Sequence, residues 1–538
     1  MSTECYPITV LPHITQLYRD YLAMADGSLV SGWYGANPFR PDWMRRELPA
    51  NDRGVLADAL RAQSISFNAG PLALANIEKL RSGARTVVTG QQVGLFGGPL
   101  LTLHKAATAI ARAVDATAAT GIDHVPVFWL ATEDHDLAEV DTVSLLTKTS
   151  IEKITAHLRV AEPVAVGGVS LGDGTEAALD RASELLAYAP ICDQLREFYA
   201  PEASPGATLG GAFARLMAHL FSAHGLIVMD AAGREFHALG SETLRAAIDH
   251  AGELEAALLA RTAELERDGY HAQVLVKPDS SMLFLIDEQT GERLALRRVA
   301  DGLWKAGSKT YTTTNLHGIL DSAPERISPN ALLRPVFQDT ILPTAAYVGG
   351  PAEIAYFAQS AVLYERILNR ITPVLPRLSA TLIEPALGEV MARQELSLPD
   401  TFTTAEDLAQ RLGARAMPIA AKRKLAAVGN AMESELSALT EYLSGMDASL
   451  GRAAKVSGSK MLYQMNRLRR MAANFELQKE ASLRKHADAL TLHLFPDGHP
   501  QERVLAGVWF AARYGEGLID RLVAEAKNLC PGHVVIRL

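Results

Sequence analysis

The fold is decided by one stretch, residues 85–119, which reads RTVVTGQQVGLFGGPLLTLHKAATAIARAVDATAA. Residues 86–89 form a short β-branched run that favours a buried strand. Pro99 suits the first position of a helix, where its missing N–H costs nothing, and apolar residues then recur at helical spacing. Between these two segments the chain carries four glycines: Gly90, Gly94, Gly97 and Gly98. The stretch therefore predicts a strand, a glycine-rich loop and a long helix.

The predicted loop offers groups that suit an anion, because the free N–H groups and the dipole of the helix N-terminus point at it. Its glycine spacing matches neither the dinucleotide-binding G-x-G-x-x-G nor a phosphate loop ending in Gly-Lys-Ser/Thr. Its distinctive residues are Gln91 and Gln92, two adjacent amides that both donate and accept hydrogen bonds. His104 and Lys105 follow in the first turns of the helix. The same pattern fits a polar turn with a surface lysine, so both interpretations stand at this point.

The composition bounds the class of protein. The length of 538 residues predicts one to three globular domains. The net charge is −9 and acidic and basic residues are intermixed, which indicates neither a nucleic-acid-binding nor a membrane-binding surface. Cys5, Cys192 and Cys530 are far apart and odd in number, which predicts neither a disulfide framework nor a zinc cluster and indicates a reducing cytoplasm. We expect no signal peptide and no membrane span, since no suitable apolar run occurs.

A second buried strand follows the helix at residues 125–131. Strand, crossover helix and strand of this length make a parallel unit, so both strands end at the same sheet edge, where open α/β folds bind ligands. Gln91 and Gln92 are therefore predicted to face the loop that follows the second strand. That loop contains the catalytic candidates: Glu133, Asp134, His135 and Asp136.

Three carboxylates around one histidine suit acid–base chemistry. His135 is the candidate general base, with a neighbouring carboxylate orienting its ring. Two other interpretations remain open: a magnesium site built on the carboxylate oxygens, and a solvated acidic turn.

The predicted core continues to residue 385, with insertions near 144–205 and 270–325. Residues 226–229 read as a third strand ending in Asp230, a long helix follows at about 240–267, and a hairpin turns at residues 289–291. A second strand–glycine–proline–helix unit begins at residue 345. Further binding candidates lie around it: Asn330, Arg334, Gln338, Tyr356 and Gln359. Arg334 suits a carboxylate or phosphate, which it can bind with two parallel hydrogen bonds.

Residues 386–490 change character. Apolar residues step by threes and fours along two segments, which predicts an antiparallel coiled-coil hairpin joined near residues 451–458. Its predicted seam contains Leu436, Leu439, Leu443 and Leu468, packed on each other or on a second subunit. Residues 491–538 are predicted to return to the core as a helix and a strand.

Three blocks carry a family resemblance: TGQQVGLFGGPLLTLHKA at 89–106, PVFWLATEDHDLAEVD at 126–141 and SPNALLRPVFQDTILPTAAYVGGPAEIAYFAQ at 328–359. With them, nearly the whole chain resembles the cysteine-adding enzymes of bacillithiol biosynthesis. The resemblance implies a Rossmann-like core similar to class I nucleotidyltransferases, with connecting-peptide insertions and a coiled-coil domain that forms a homodimer. It also implies that L-cysteine is joined to glucosaminyl-malate by an amide bond in the last biosynthetic step. An adenine nucleotide, ATP or ADP, is implied as a ligand.

Amide formation needs a neutral amine, so some group must accept a proton. His135 is the predicted acceptor and Glu133 the alternative. Two other functions remain open on the sequence: another adenylyl-transferring, amide-forming synthetase, and a non-enzymatic assembly protein that uses the coiled coil. The polar loops at the predicted sheet edge favour an enzyme.

Overall fold

The computed structural model describes residues 4–25, 27–49, 53–160, 164–201, 207–515 and 517–538. Residues 161–163 and 202–205 of the predicted first insertion lie outside the described residues. The strands are β1 (Glu4–Pro7), β2 (Arg85–Gln91), β3 (His124–Leu130), β4 (Thr142–Leu146), β5 (Ile151–Thr155), β6 (Ile227–Asp230), β7 (Ser280–Ile286), β8 (Arg293–Ala300), β9 (Leu303–Ala306), β10 (Lys309–Thr312), β11 (Ile327–Pro329), β12 (Thr344–Gly349), β13 (Val374–Pro376), β14 (Ala380–Ile383) and β15 (Gly532–Arg537).

The first fourteen helices are α1 (Gln16–Leu22), α2 (Gly54–Ser66), α3 (Pro71–Arg81), α4 (Leu101–Thr120), α5 (Leu137–Val140), α6 (Asp173–Leu185), α7 (Ile191–Tyr199), α8 (Leu209–Leu220), α9 (Arg234–Leu239), α10 (Ser241–Asp249), α11 (Ala251–Arg267), α12 (Thr313–Ser322), α13 (Arg334–Ile341) and α14 (Pro351–Leu368). The remaining helices are α15 (Pro385–Arg393), α16 (Leu398–Thr401), α17 (Ala405–Ala416), α18 (Ile419–Met446), α19 (Ala448–Lys479), α20 (Ala481–Leu494), α21 (Gln501–Val504), α22 (Gly507–Tyr514) and α23 (Gly517–Ala526).

The chain divides into two units. Unit 1 comprises Met1–Thr147, Ile151–Thr381 and Glu502–Ile536, and unit 2 comprises Lys148–Ser150, Leu382–Gln501 and Arg537–Leu538. The predicted boundary at 385/386 lies close to the one at Thr381, and most of the C-terminal segment belongs to unit 1.

The core of unit 1 is a five-stranded parallel sheet in the order β13-β12-β2-β3-β6. The Rossmann-like α/β fold predicted from the sequence is confirmed. Every residue of β3 is buried, as are the five central residues of β2, which explains their apolar and β-branched composition. The chain moves from β2 outward to β3 and β6, and later returns to the other side of β2 at β12. The strand order therefore reverses between β2 and β12, and such a reversal leaves a crevice at the carboxyl ends of the strands.

Helix α4 is the crossover between β2 and β3. It is rich in alanine, the best helix former, and Ala109, Ala113 and Ala116 pack against Val87 and other buried residues of the sheet. The helix ends at Gly121, whose φ of 71° is the left-handed conformation that glycine adopts at helix C-termini. Helix α4 begins at Leu101, so the prediction of Pro99 as its first residue is wrong by two positions. Pro99 instead forms a β-bridge with Ala506.

Two antiparallel sheets also belong to unit 1. The predicted hairpin is confirmed as β7 and β8, which lie in an antiparallel sheet of order β10-β9-β8-β7-β11. Strands β4 and β5 form a separate antiparallel pair. The single helix predicted at about 240–267 is wrong, because the chain breaks at His250 into α10 and α11.

Unit 2 contains the predicted antiparallel hairpin, formed by α18 and α19. Gly458 faces Leu436 and Gly451 faces Ser444. Residue numbers therefore rise along one helix as they fall along the other, which makes the two helices antiparallel. The predicted connection at 451–458 is wrong: the turn is at Asp447, whose carboxylate accepts hydrogen bonds from the N–H groups of Ser449 and Leu450. The glycines at 451 and 458 instead allow the two helices to approach closely.

Within one chain, only part of the predicted leucine seam is covered. Leu436 and Leu443 are half-buried within unit 2, whereas Leu439 and Leu468 are about half exposed. Those two side chains do not pack in the hairpin itself.

The cysteine prediction is corrected by the structure. Cys5 and Cys530 form a disulfide with Cα atoms 6.0 Å apart, and Cys192 is free and buried. Sequence spacing concealed this pair because β1 and β15, from opposite ends of the chain, are neighbours in one antiparallel ladder. None of the described helices is long and apolar enough to cross a membrane.

Candidate active site

A cavity of about 390 Å³ opens at the carboxyl edge of the parallel sheet, where the strand order reverses. It is lined by residues at or after the ends of β2, β3, β12 and β13, together with one residue of α13 and one of α21, and all of them belong to unit 1. The polar and charged lining residues are Gln91, Gln92, Lys105, Asp134, Glu139, Arg334, Tyr347, Glu353, Tyr356, Arg377 and Arg503.

Glycine shapes the floor of this cavity. A Cβ atom on Gly90 would lie 2.7 Å from the carbonyl oxygen of Trp129, so β2 and β3 can approach this closely only with glycine there. The loop then turns through Gly97 and Gly98, which have φ values of 88° and 68°. These conformations bring the start of α4, at Leu101, to the cavity wall.

A buried ion pair connects the two strand–glycine–helix units. The Lys105 ammonium lies 2.5 Å from the Glu353 carboxylate and donates to the carbonyl of Gly90 and the side chain of Gln91. Glu353 also accepts hydrogen bonds from the N–H of Gly350 and the hydroxyl of Tyr347. Burial raises the pKa of Glu353, but Lys105 and the other donors outweigh it and hold that pKa below its usual value. Glu353 is therefore ionised and its charge is neutralised by Lys105.

Arg334 has only neutral partners among the described residues. Its guanidinium donates to the hydroxyl of Tyr356 at 2.8 Å, to the side chain of Gln338 at 3.2 Å and to the hydroxyl of Tyr347 at 3.5 Å. Burial raises the pKa of Tyr356 to about 12 even with Arg334 beside it, so this phenol stays neutral. The positive charge of Arg334 is thus not matched by a carboxylate hydrogen-bonded to it.

Arg377 reaches the cavity from the end of β13 and is held by a buried carboxylate. Its guanidinium makes two parallel hydrogen bonds, of 2.7 and 3.0 Å, to Glu502. Glu502 also accepts from the N–H of Ala380 and lies 3.0 Å from Nδ1 of His104. Burial raises the pKa of Glu502, but Arg377 and His104 lower it by a larger amount. The pKa of Glu502 therefore lies well below its usual value. This pair is therefore a neutralised ion pair.

Arg503 differs from the other cations of the site, because it has no hydrogen bond or ion pair with any described residue. Burial and the neighbouring Arg377 lower its pKa. Its guanidinium lines the cavity and is available to a ligand.

The opposite side of the cavity is acidic. The amide nitrogen of Gln92 donates to Asp134 at 2.7 Å and to Glu139 at 3.0 Å, so one side chain brings two carboxylates together. These carboxylates follow β3, whereas Arg334, Tyr356 and Arg377 follow β11, β12 and β13. Because β2 lies between β3 and β12, the acidic and basic groups face each other across the end of β2.

The structure separates the four catalytic candidates. Asp134 lines the cavity. The half-exposed ring of His135 lies outside the lining, with Nδ1 3.7 Å from the Asp134 carboxylate. Glu133 is 3.0 Å from Nε2 of buried His237, and Asp136 accepts from the N–H of Glu139 at the start of α5. Only Asp134 therefore meets the cavity directly.

Among the predicted binding residues, Gln91, Gln92, Lys105, Arg334 and Tyr356 come together at the cavity. The other four do not line it. His104 contacts Glu502, Asn330 accepts from the N–H groups of Leu332 and Leu333, Gln338 donates to Asp339, and Gln359 bonds the backbone of Val274.

Five polar or charged lining residues were not among the predicted site residues: Glu139, Tyr347, Glu353, Arg377 and Arg503. The signal for Glu353 was present in the sequence, since it is a charged residue that follows the predicted strand at 345–348 and its glycine turn; Arg377 is a charged residue in an apolar stretch where no strand was predicted. Nothing local marks Arg503, because it reaches the site from α21, far along the chain. Among the described residues, no three His, Cys, Asp or Glu side chains are grouped so as to hold a metal ion.

Comparison with known proteins shows the family to which the chain belongs. Residues 1–378 match the family model "Bacillithiol biosynthesis BshC, N-terminal Rossmann-like domain", and residues 380–538 match "Bacillithiol biosynthesis BshC, C-terminal coiled-coil domain". The chain belongs to the BshC family. The BshC family resemblance seen in the three sequence blocks is thereby confirmed.

Similar BshC proteins cover the whole chain. A protein of Koribacter versatilis named "Putative cysteine ligase BshC" is 41% identical over 543 residues, which is 100% of both chains. A protein of the same name from Solibacter usitatus is 33% identical over 100% of both chains. Another, from Salinibacter ruber, is 31% identical over 90% of this chain and 89% of its own. The prediction of a ligase-type enzyme agrees with these names.

Proposed function

We propose that this chain is a ligase that joins L-cysteine to glucosaminyl-malate through an amide bond, the last step of bacillithiol biosynthesis. The observation that carries the proposal is the cavity at the strand reversal, with unmatched basic groups on one side and a carboxylate pair on the other. A substrate with acid groups and an amine needs such a pair of surfaces. Membership of the BshC family supports the same assignment.

The basic side suits the malyl group. Lys105 and Arg377 are neutralised by Glu353 and Glu502, but Arg334 and Arg503 have no carboxylate partner among the described residues. A partly buried guanidinium gains from a charged acceptor, and arginine binds carboxylates with two hydrogen bonds. Two guanidinium groups that have no carboxylate partner therefore suit the two carboxylates of malate.

The acidic side suits the amine. The carboxylates of Asp134 and Glu139 attract an ammonium group and hold it beside the end of β3. The amine must lose a proton before its nitrogen attacks the carboxyl carbon of cysteine, and one carboxyl oxygen must leave as the C–N bond forms, carried by phosphate or AMP if a bound ATP were to activate that carboxyl group. In this proposal the proton leaves the amine through the Asp134 carboxylate, which lines the cavity, and passes on to His135, whose Nδ1 lies 3.7 Å from that carboxylate. Glu133 is the alternative acceptor, and Asp136 supports the loop.

We also propose that an adenine nucleotide binds to unit 2. A cavity of about 880 Å³ in that unit is lined by Lys148, Lys485, Phe495 and the N-terminus of α17. Neither lysine ammonium has a partner among the described residues. Ammonium groups and helix N–H groups suit phosphates, and an aromatic ring suits adenine, so these residues fit the nucleotide. ATP supplies a phosphoryl or adenylyl group for activating carboxylates.

We further propose that the chain forms a homodimer through the coiled coil. Both hairpin helices expose large apolar side chains, among them Leu439, Tyr442, Met461, Leu468 and Phe475. Exposed apolar patches of this kind mark interaction surfaces.

The proposed location is the cytoplasm, where a disulfide is more often reversible than structural.

The test is product formation. Purified protein, L-cysteine and glucosaminyl-malate are incubated with and without ATP, and the amide is detected by mass spectrometry. The proposal predicts a product with the mass of both substrates less one water, and its loss in the Asp134→Asn variant. Product with other acid–amine pairs but not with glucosaminyl-malate would indicate a synthetase of different specificity. No product from any pair would favour an assembly protein.

A further inference from the structure

The disulfide between Cys5 and Cys530 joins the two ends of unit 1. Cys5 lies in β1 opposite Val534 of β15, and the bond closes a separation of 525 residues. Cys5 is exposed and Cys530 is half-buried, whereas Cys192, the third cysteine, is buried. One end of the bridge is therefore open to solutes.

The fold does not depend on the bridge to keep these strands together. Strands β1 and β15 pair over four residues, and Gly532 is packed so closely on Tyr6 that a Cβ there would lie within 2 Å of the Tyr6 carbonyl oxygen. In β15, His533 lies 2.8 Å from the hydroxyls of both Ser379 and Thr381. Strand β15 thus stays anchored when the sulfur–sulfur bond is open, which allows the bond to open and close without unfolding.

We propose that Cys5–Cys530 is a thiol-exchange site for low-molecular-weight thiols. A thiolate attacks the exposed Cys5 sulfur, a new sulfur–sulfur bond forms, and the Cys5–Cys530 bond breaks. The Cys530 sulfur leaves as a thiolate and takes up a proton. A second thiolate then attacks the mixed disulfide and releases Cys5, so two thiols supply the two electrons and leave as their disulfide.

Exposure determines which sulfur is attacked, because access is one of the factors that set exchange rates. The half-buried Cys530 is the better shielded sulfur and the natural leaving group. Surface disulfides are also the ones that react with a thiol pool, whereas enclosed ones resist reduction. This inference does not rest on the proposed ligase activity.

The experiment begins with wild-type protein that is purified without reductant. The protein is kept folded during every later step. Its intact mass should be about 2 Da below that of the fully reduced chain. A limiting amount of L-cysteine is added, free thiols are alkylated, and the peptides are mapped. We expect cysteinylation of Cys5 severalfold above that of Cys530, alkylation of Cys530, and no modification of Cys192.

Single variants separate the two sulfurs. Cys530→Ser treated with cystine should keep a stable mixed disulfide on Cys5, because the resolving thiol is gone. Cys5→Ser should be modified more slowly at Cys530, and Cys192→Ser should behave as wild type. The proposal is overturned if the purified protein contains no bridge, if the bridge resists millimolar L-cysteine until the protein is denatured, or if Cys530 is modified as fast as Cys5.

Discussion

At the scale of single residues, the site depends on which charges are neutralised and which are not. Lys105 and Arg377 are bound by buried carboxylates, so they organise the cavity wall. Arg503 has no such partner, and Asp134 and Glu139 share the amide of Gln92, while Asp134 also accepts a hydrogen bond from the N–H of His135. We infer that the matched pairs hold the shape of the cavity and the unmatched groups bind the ligand.

The first prediction concerns the proton acceptor. Asp134→Asn and His135→Asn should each lower kcat by about a hundredfold or more, the usual size of a general-base effect. If the two residues act as one unit, the double variant should lose little more than the worse single variant. Steady-state kinetics on the three variants measures this. Near-normal kcat in His135→Asn would leave the carboxylates as the acceptor, and additive losses would mean independent roles.

The second prediction concerns Glu502. Replacing it by Gln leaves Arg377 buried without its counter-charge, which should cost about 3–5 kcal/mol. The folded-state pKa of Glu502 is depressed, so its contribution is present above the unfolded pKa of about 4.3 and is lost as the pH falls through the folded value. The stability difference between wild type and Glu502→Gln should therefore be largest near pH 7 and shrink in acid.

Thermal unfolding between pH 7 and pH 3 measures that difference. The control is Glu242→Gln, which changes an exposed glutamate of α10 that has no described partner and should have almost no effect. A pH-independent difference, or equal effects of the two substitutions, would contradict the assigned role of Glu502.

At the scale of elements, four of the five strands of the parallel core could be predicted because each is a buried run that ends near glycine or a charged residue, whereas β13 was not predicted. β2, β3, β6 and β12 were all predicted in this way. The break at His250 was not, since apolar periodicity continues on both sides of it. The hairpin turn was misplaced because Gly451 and Gly458 resemble a turn signal, while the actual turn depends on the local hydrogen bonds of Asp447.

The candidate site likewise contains residues that the local sequence predicts and residues that it does not. Gln92 and Asp134 were predicted because the ends of parallel strands converge at one sheet edge, and Arg334 was predicted as a charged residue in an otherwise apolar stretch. Whether a polar side chain points into the cavity or caps a neighbouring turn, as Asn330 does, depends on side-chain direction. Arg503 depends on how the C-terminal segment packs, which no local pattern records.

The third prediction tests helix packing in unit 2. A Cβ on Gly413 of α17 would lie 2.5 Å from the carbonyl oxygen of Ala473 in α19, so Gly413→Val should lower the Tm of unit 2. Gly445 of α18 has no atom within 4 Å of its Cβ position, and Gly445→Ala should stabilise by about 0.5–1 kcal/mol through helix propensity. Calorimetry on both variants measures this. A Gly413→Val protein as stable as wild type would contradict the close helix contact.

At the scale of the whole molecule, the fourth prediction concerns assembly. The exposed apolar face of the hairpin should be covered by a second copy, so the wild-type protein should sediment as a dimer. Leu439→Lys combined with Leu468→Glu should shift it to monomer. Val299→Lys, at an exposed apolar residue of unit 1, is the control and should leave the dimer intact. A wild-type monomer at micromolar concentration would contradict the proposed dimer.

The central claim, that the cavity at the end of β2 binds the acid–amine substrate, is tested most directly by calorimetric titration of glucosaminyl-malate into the protein. Wild type should bind, and Arg503→Ala should weaken binding about tenfold to a hundredfold, the loss expected for one hydrogen-bonded charge. Arg297→Ala, which removes an exposed, unpaired arginine of β8 outside the cavity, should bind like wild type. Equal affinity of wild type and Arg503→Ala, or no binding by the folded wild-type protein, would contradict the account.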